Sequence, residues 1–205
     1  MNAPEVVVFD LGKVLVDFDY SIAARRIAAR STMPPTDVQK FIDHSPLLVR
    51  YETGLMSREE FYAEIRAVTG FLGDIEEFGS FFADIFSPMD DMIRLHSHLR
   101  ERGVPTFIFS NTNDLAIWHI RRNFPFFANF DAYVLSYEHG AMKPHAKLYE
   151  VVERVTGRRG SQILYLDDRP ENAEAGVARG WHVIQHHDPA ASIARVKELG
   201  LLPKD

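Results

Sequence analysis

The sequence predicts an α/β fold with a Rossmann-like parallel sheet and an inserted all-helical segment, and three observations support this prediction. The β-branched apolar run Val6–Phe9 is typical of a strand that is buried on both faces. From residue 89 onward, helical and strand patterns alternate with short connections, as in right-handed βαβ units. Residues 19–88 show helical periodicity and no strand pattern. We therefore predict a core domain (residues 1–18 and 89–205) and a helical cap domain (residues 19–88).

Four apolar runs after residue 89 predict the other strands of the sheet. They are Val104–Phe109, Ala132–Leu135, Ile163–Leu166 and Trp181–Ile184. Segments with helical periodicity separate these runs, so we expect all of the strands to be parallel.

The predicted cap domain has recognisable helix ends. The run from Ser57 to Glu60 has the pattern of a capping box, and Gly70 suits the end of the helix that follows. An aromatic stripe from Phe78 to Phe86 predicts a further helix. Because these helices follow the first strand directly, we expect a lid over a site at the end of that strand. The alternative is a decoration of the fold with no role in the site.

Composition narrows the function classes. The 205 residues carry a formal net charge of −6, which argues against non-specific binding to nucleic acid or to acidic membranes. The absence of cysteine excludes disulfides and thiolate chemistry. The sequence has no signal-peptide pattern, and no apolar run reaches the ~18 residues of a membrane span. We expect a cytoplasmic monomer or weak dimer that binds neither nucleic acid nor membrane.

Polar residues follow three of the predicted strands at the point where each strand ends. Asp10 follows the first strand, Ser110 and Asn111 follow the second, and Asp167 and Asp168 follow the fourth. The carboxyl ends of parallel strands lie along one edge of a sheet, where open α/β sheets bind their ligands. The sequence therefore predicts one crevice in which these side chains meet.

This combination of side chains suits phosphoryl transfer. Carboxylate oxygens suit Mg²⁺, whereas the Ser110 hydroxyl, loop N–H groups and the ammonium of Lys143, from a loop on the same edge, suit a phosphate. The metal and the lysine would keep Asp10 ionised beside Asp167 and Asp168. Ionised Asp10 would attack phosphorus to form an aspartyl-phosphate, which water then hydrolyses. The predicted cofactor is Mg²⁺, and the predicted substrate is a small phosphorylated metabolite.

The sequence resembles the haloacid dehalogenase (HAD) superfamily over nearly its whole length. The resemblance lies in the segments Phe9–Asp17, Ser110-Asn111, Gly140–Pro144 and Asp167–Asn172. It implies that Asp10 is the nucleophile and that Ser110, Asn111 and Lys143 bind the phosphate or the substrate.

The resemblance also implies a metal site. Asp10, the backbone carbonyl of Gly12 and Asp168 would bind Mg²⁺, with Asp167 as a further possible ligand. Asn172 would contact the metal-binding carboxylate. The implied fold has strand order 5-4-1-2-3, with the first strand central and a small helical (C1-type) cap. The sequence is similar to a bacterial sugar-phosphate phosphatase subgroup that includes glucose-1-phosphate phosphatase, so a hexose 1-phosphate is one expected substrate.

Position 12 departs from the family pattern. Phosphatases of the family usually carry an aspartate there, which protonates the leaving oxygen and later activates water. Gly12 has no side chain for either step. General acid–base catalysis contributes about 10²–10⁴-fold in rate, so a slow enzyme is expected rather than an inactive one. The alternatives are a binding or regulatory protein on the HAD scaffold, or a metal-independent 2-haloacid dehalogenase.

Overall fold

Five parallel strands form the main sheet of the computed structural model, which describes residues 3–203. The strands of this part of the chain are β1 (Val6–Phe9), β2 (Val16–Phe18), β3 (Phe86–Pro88), β4 (Thr106–Ser110), β5 (Ala132–Leu135), β6 (Ile163–Asp167) and β7 (His182–Gln185). The main sheet has the order β5-β4-β1-β6-β7. When its strands are numbered among themselves, this is the predicted order 5-4-1-2-3 read from the other edge. The predicted fold class is confirmed.

Helices lie between the strands of the main sheet and within the predicted cap. In the described residues they are α1 (Tyr20–Ala28), α2 (Pro35–His44), α3 (Pro46–Glu52), α4 (Arg58–Thr69), α5 (Ile75–Ala83), α6 (Asp90–Glu101), α7 (Asp114–Asn123), α8 (Ser136–His139), α9 (Ala146–Thr156), α10 (Pro170–Ala178) and α11 (Pro189–Glu198), with 3₁₀ helices at Pro125–Asn129 and Gly160–Gln162. None of these helices combines the length and the apolar character that a membrane span requires.

The central strand β1 is buried because helices cover both faces of the sheet. Successive side chains of a strand point to opposite faces. Phe9 accordingly packs in one apolar cluster with Leu95 of α6, whereas Val8 packs in another with Leu148 of α9. The strand that leads into Asp10 is therefore held from both sides.

The helices α1–α5 pack around an apolar cluster of their own. Its centre is aromatic, with ring centroids of Phe61 and Phe82 5.1 Å apart and those of Phe78 and Phe82 5.7 Å apart. The capping box is confirmed, because the N–H of Ser57 donates to Glu60 at 2.7 Å and the N–H of Glu60 donates to the Ser57 hydroxyl at 3.1 Å.

The predicted domain boundaries stay predictions, and residues 1–2 and 204–205 of the predicted core lie outside the described residues.

A two-stranded antiparallel ribbon joins the start and the end of this helical segment. It pairs β2 with β3, and Asp17 lies opposite Ser87. The prediction that residues 19–88 contain no strand is therefore wrong at their last residues. Three-residue strands are too short to produce a period-2 pattern, and this pairing depends on a partner about 70 residues away in the chain.

A buried histidine links the stability of the core to pH. His96 of α6 is 1% exposed, lies stacked against Phe130 at 4.0 Å between ring centroids, and shares a 3.2 Å hydrogen bond with the hydroxyl of Thr106. Burial lowers the pKa of His96 to about 4. The unfolded chain therefore binds the additional proton between about pH 6.5 and pH 4, and the folded chain does not.

We expect this difference to reduce the free energy of unfolding by about 3 kcal/mol as the pH falls through that window. Urea unfolding of the wild type and of His96→Asn at several pH values measures the effect. The free energy of unfolding should change less steeply with pH in the variant than in the wild type. His98→Asn, which removes an exposed histidine of the same helix, should keep the wild-type slope. Equal slopes for His96→Asn and the wild type would contradict the assignment.

Candidate active site

The predicted site residues meet at the carboxyl edge of the main sheet. Asp10 follows β1 directly, Ser110 is the last residue of β4, and Asp167 is the last residue of β6. All three side chains are buried. The buried ammonium of Lys143 joins them from the loop between α8 and α9.

Lys143 bridges two of the carboxylates. Its Nζ lies 3.0 Å from Oδ1 of Asp10 and 2.6 Å from Oδ2 of Asp167, and it donates a third bond to the backbone carbonyl of Phe109 at 2.9 Å. These three contacts use the three donors of an ammonium group. The predicted role of Lys143 in binding phosphate stays a prediction, and its contacts within the protein hold the carboxylates of Asp10 and Asp167 in place.

Burial and charge give the two bridged carboxylates different pKa values. Burial, together with the charge of Asp167, raises the pKa of Asp10 to about 7, although Lys143 acts in the opposite direction. Burial also acts to raise the pKa of Asp167, but Lys143 and several hydrogen bonds outweigh it and lower the pKa. For Lys143, burial favours the neutral amine, yet Asp10 and Asp167 raise the pKa above its usual value. The shorter of the two carboxylate contacts of Lys143, 2.6 Å, is the one with Asp167.

Asp10, Asp167 and Asp168 form an acidic cluster that fits a divalent cation. One carboxylate oxygen of each lies within 4.8 Å of those of the other two. Counted together with Lys143, the three ionised carboxylates carry a net charge of −2. A hard cation such as Mg²⁺ prefers oxygen ligands and would neutralise this charge.

The two neighbouring aspartates have different surroundings. Asp167 accepts hydrogen bonds from Tyr165, from the backbone N–H of Arg169 (2.9 Å) and from Asn172 (3.0 and 3.2 Å), in addition to its bond from Lys143. Asp168 is half-buried, and burial together with the charge of Asp167 raises its pKa. Asp168 lines the cavity above Asp10, as Asn172 also does. The side chain of Asn172 binds Asp167, whereas the resemblance placed it beside the preferred metal ligand, Asp168.

The residues after β4 connect the site to the Lys143 loop. The side chain of Asn111 accepts a bond from the backbone N–H of Lys143 at 2.7 Å and donates to its carbonyl at 3.1 Å. Asn111 therefore holds Lys143 in place, and it also lines the cavity. The Ser110 hydroxyl donates a long bond, 3.3 Å, to the carbonyl of Asn111. Ser110 lines a small second cavity together with Gly12.

The space that an aspartate at position 12 would need is occupied by an aromatic ring. A Cβ atom built on Gly12 would lie 2.9 Å from Cε1 of Phe18. Cβ atoms in proteins essentially never approach another heavy atom so closely. The ammonium of Lys13 lies 4.7 Å from the centroid of the same ring and pairs with Asp17. Restoring an aspartate at this position therefore requires Phe18 to move.

A cavity of about 240 Å³ opens above Asp10. The helical segment contributes one wall of it through Tyr20 of α1, Leu48 and Glu52 of α3. The sequence patterns did not single out Glu52 or Tyr20. The segment of α3 shows no clear helical spacing of apolar residues, and tertiary packing brings both side chains to the site. The Ser45-Pro46 pair, a helix start with the serine as cap, is the one local signal for α3.

The fold and this site define a hydrolase of the haloacid dehalogenase-like family. The model of that family matches residues 4–180, and the chain belongs to the family.

Two proteins and one solved structure illustrate the similarity. The chain is 24% identical over 193 residues to the D-ribitol-5-phosphate phosphatase of Bacteroides thetaiotaomicron, covering 90% of this chain and 92% of that protein. It is 22% identical over 206 residues to acyl-CoA dehydrogenase family member 10 of Mus musculus, covering 94% of this chain but only 19% of the much longer mouse protein. The fold matches a HAD family enzyme of Bacteroides thetaiotaomicron, solved in complex with magnesium and inorganic phosphate. For that structure the TM-score is 0.78 at 20% identity, with 90% and 94% of the two chains covered.

Proposed function

We propose that this protein is a Mg²⁺-dependent phosphatase that hydrolyses a small phosphorylated metabolite through an aspartyl-phosphate on Asp10. The observation that carries the proposal is the buried arrangement of Asp10, Lys143 and Asp167 beside Asp168, on the floor of a cavity that the helical segment covers. We propose that Asp10, Asp168 and the carbonyl of Gly12 bind the metal. The contacts of Asp167 with donors of the protein favour a supporting role for this residue.

Each residue of the site has its own role in the proposed reaction. Bound Mg²⁺ would supply positive charge beside the phosphate oxygens. Asp10 would attack phosphorus while Lys143 keeps its Oδ1 oriented, and the Ser110 hydroxyl would donate to a phosphate oxygen. The largest part of the rate enhancement would come from stabilising the charge of the transferred group.

The size of the cavity supports a small substrate. A volume of about 240 Å³ suits a sugar phosphate or a polyol phosphate better than a large nucleotide. Among the relatives, the Bacteroides protein is a phosphatase of a polyol phosphate, D-ribitol 5-phosphate. We therefore propose a sugar phosphate or a polyol phosphate, with a hexose 1-phosphate among the candidates, hydrolysed in the cytoplasm. We propose further that residues 19–88 form the cap that selects it.

A panel of phosphate esters tests the proposed function. We expect phosphate release from at least one sugar or polyol phosphate with Mg²⁺, and release should fall to background in EDTA because the acidic cluster then lacks its counter-charge. Release that persists in EDTA would contradict the proposal. Tight binding of phosphorylated metabolites without any release would favour a binding or regulatory protein, the alternative that Gly12 supports. Halide release from a 2-haloacid would indicate the dehalogenase alternative.

A further inference from the structure

We propose that Glu52, the last residue of α3, is the general acid and base that replaces the aspartate missing at position 12. This inference rests on the proposed phosphatase function and goes beyond it by assigning a catalytic residue to the cap. The helical segment would then take part in the chemistry as well as in selecting the substrate.

The position of Glu52 is the first argument. It lines both cavities at the carboxyl edge of the sheet, and in both of them it is accompanied by Gly12 and Asn111. In phosphoryl transfer the attacking and leaving oxygens lie roughly in line with phosphorus. With Asp10 on the floor of the cavity, the leaving oxygen of a bound ester would face away from the sheet, toward the wall that α1 and α3 form.

The backbone of Glu52 is tied to the core of the protein. The hydroxyl of Ser136, the first residue of α8, donates to the carbonyl of Glu52 at 2.5 Å and accepts from the N–H of Thr112 at 2.9 Å. Thr112 follows β4 and lines the smaller cavity. The end of α3 is therefore positioned relative to the site by hydrogen bonds.

The other titratable groups of the larger cavity have different tasks. Asp10 is the nucleophile, Lys143 is held between two carboxylates, and Asp168 belongs to the acidic cluster. Burial raises the pKa of Tyr20 far above its usual value, so its hydroxyl is a poor acid near neutral pH. Glu52 is the carboxylate that remains among the described residues of this cavity.

Lys13 and Arg169 also line the cavity, and both are engaged elsewhere. Lys13 pairs with Asp17, and the guanidinium of Arg169 pairs with Glu171 at 2.6 Å. An arginine is not deprotonated in proteins, so it is no proton donor. Lys13 and Arg169 therefore do not replace the proton-transferring side chain that is missing at position 12.

Among the side chains that the structure describes, none forms a hydrogen bond or an ion pair with the carboxylate of Glu52. It is half-buried, and burial raises its pKa to about 7, with the charge of Arg169 acting in the opposite direction. A group that serves in turn as acid and as base works best when its pKa lies near the operating pH. The charged and titratable groups that share its cavities are Asp10, Lys13, Tyr20, Lys143, Asp168 and Arg169.

The proposed proton transfers balance over one turnover. A carboxylate oxygen of Asp10 forms a bond to phosphorus as the ester P–O bond breaks, and protonated Glu52 gives its proton to the leaving oxygen. Water then attacks phosphorus of the aspartyl-phosphate, and the Glu52 carboxylate takes a proton from it as the bond between Asp10 and phosphorus breaks. Inorganic phosphate leaves with Glu52 protonated again.

The experiment compares Glu52→Gln with the wild type on two esters at saturating Mg²⁺. One ester is 4-nitrophenyl phosphate, whose leaving group needs no proton; the other is the sugar or polyol phosphate that the wild type hydrolyses fastest. With the sugar or polyol phosphate we expect kcat/KM to fall by about 10²–10⁴-fold. With 4-nitrophenyl phosphate we expect a first turnover close to that of the wild type and then a steady state slowed by about 10²-fold, because the base for the second step is missing. The burst of 4-nitrophenol should equal the enzyme concentration.

The control is Glu64→Gln, the same change at an exposed position of α4, which should match the wild type in every measurement. The inference is overturned if Glu52→Gln behaves like Glu64→Gln. It is also overturned if the first turnover of both esters falls by the same factor, which would indicate a role in binding or structure. A wild type that hydrolyses no ester would reject the proposed function and this inference with it, whereas an active wild type with an unaffected Glu52→Gln would reject this inference alone.

Discussion

Replacing Asp10, the proposed nucleophile, with asparagine is expected to reduce Mg²⁺-dependent phosphate release by about 10⁴-fold or more, the order of loss that follows removal of a covalent nucleophile. The introduced amide keeps the shape of the carboxylate and an oxygen that can accept from Lys143, so the site should keep its geometry. What the amide lacks is an ionised oxygen that can attack phosphorus. The measurement is the initial rate of phosphate release from the best ester of the panel.

Thermal unfolding of the same variant shows whether a loss of activity comes from the missing carboxylate or from a less stable fold. The pKa of Asp10 is raised in the folded protein, so ionising this group disfavours the folded state as the pH rises from about 4 to about 7. Above that range and without metal, Asp10→Asn should therefore unfold at the same temperature as the wild type or at a higher one. Asp91→Asn, on the exposed side of α6, is the matched control and should be fully active. Activity of Asp10→Asn within about tenfold of the wild type would contradict the role of Asp10.

The sequence was informative where local pattern determines structure. The apolar run before Asp10 and the runs before Ser110 and Asp167 are strands in the structure, and parallel pairing then brings their ends to one edge. The capping box at Ser57 and the helix end at Gly70, which has φ 68°, also follow from short-range chemistry. These features need no knowledge of distant contacts.

The remaining features depend on contacts between distant segments. Nothing in the sequence around Glu52 indicates that α3 lies over the sheet, because that position results from the packing of the helical segment. The ring of Phe18 beside Gly12 and the side chain of Asn172 on Asp167 also depend on how separate elements approach one another. The sequence placed Lys143 at this edge of the sheet, but its burial (5% exposed) between Asp10 and Asp167 is a tertiary contact that the local Lys-Pro pattern does not indicate.

The largest effect on stability is expected at Lys143. Methionine has a similar length and no charge, so Lys143→Met would leave Asp10 and Asp167 buried beside each other without their shared cation. Removing one partner of a buried ion pair costs about 3–5 kcal/mol, and we expect a loss of this size in the free energy of unfolding without metal. Urea unfolding measures it. Lys147→Met, at an exposed position of α9, should change stability by less than about 0.5 kcal/mol.

A second substitution tests whether charge is the cause of that loss. Asp167→Asn removes one of the carboxylates that Lys143 neutralises, so the double variant Lys143→Met/Asp167→Asn should be more stable than Lys143→Met alone. The coupling energy of the double-mutant cycle should then be at least about 1 kcal/mol. Bound Mg²⁺ should recover part of the stability of the single variant, because it supplies positive charge to the same cluster. If the two substitutions are additive and Mg²⁺ has no effect, the loss comes from packing around residue 143, and the electrostatic account of the site is wrong.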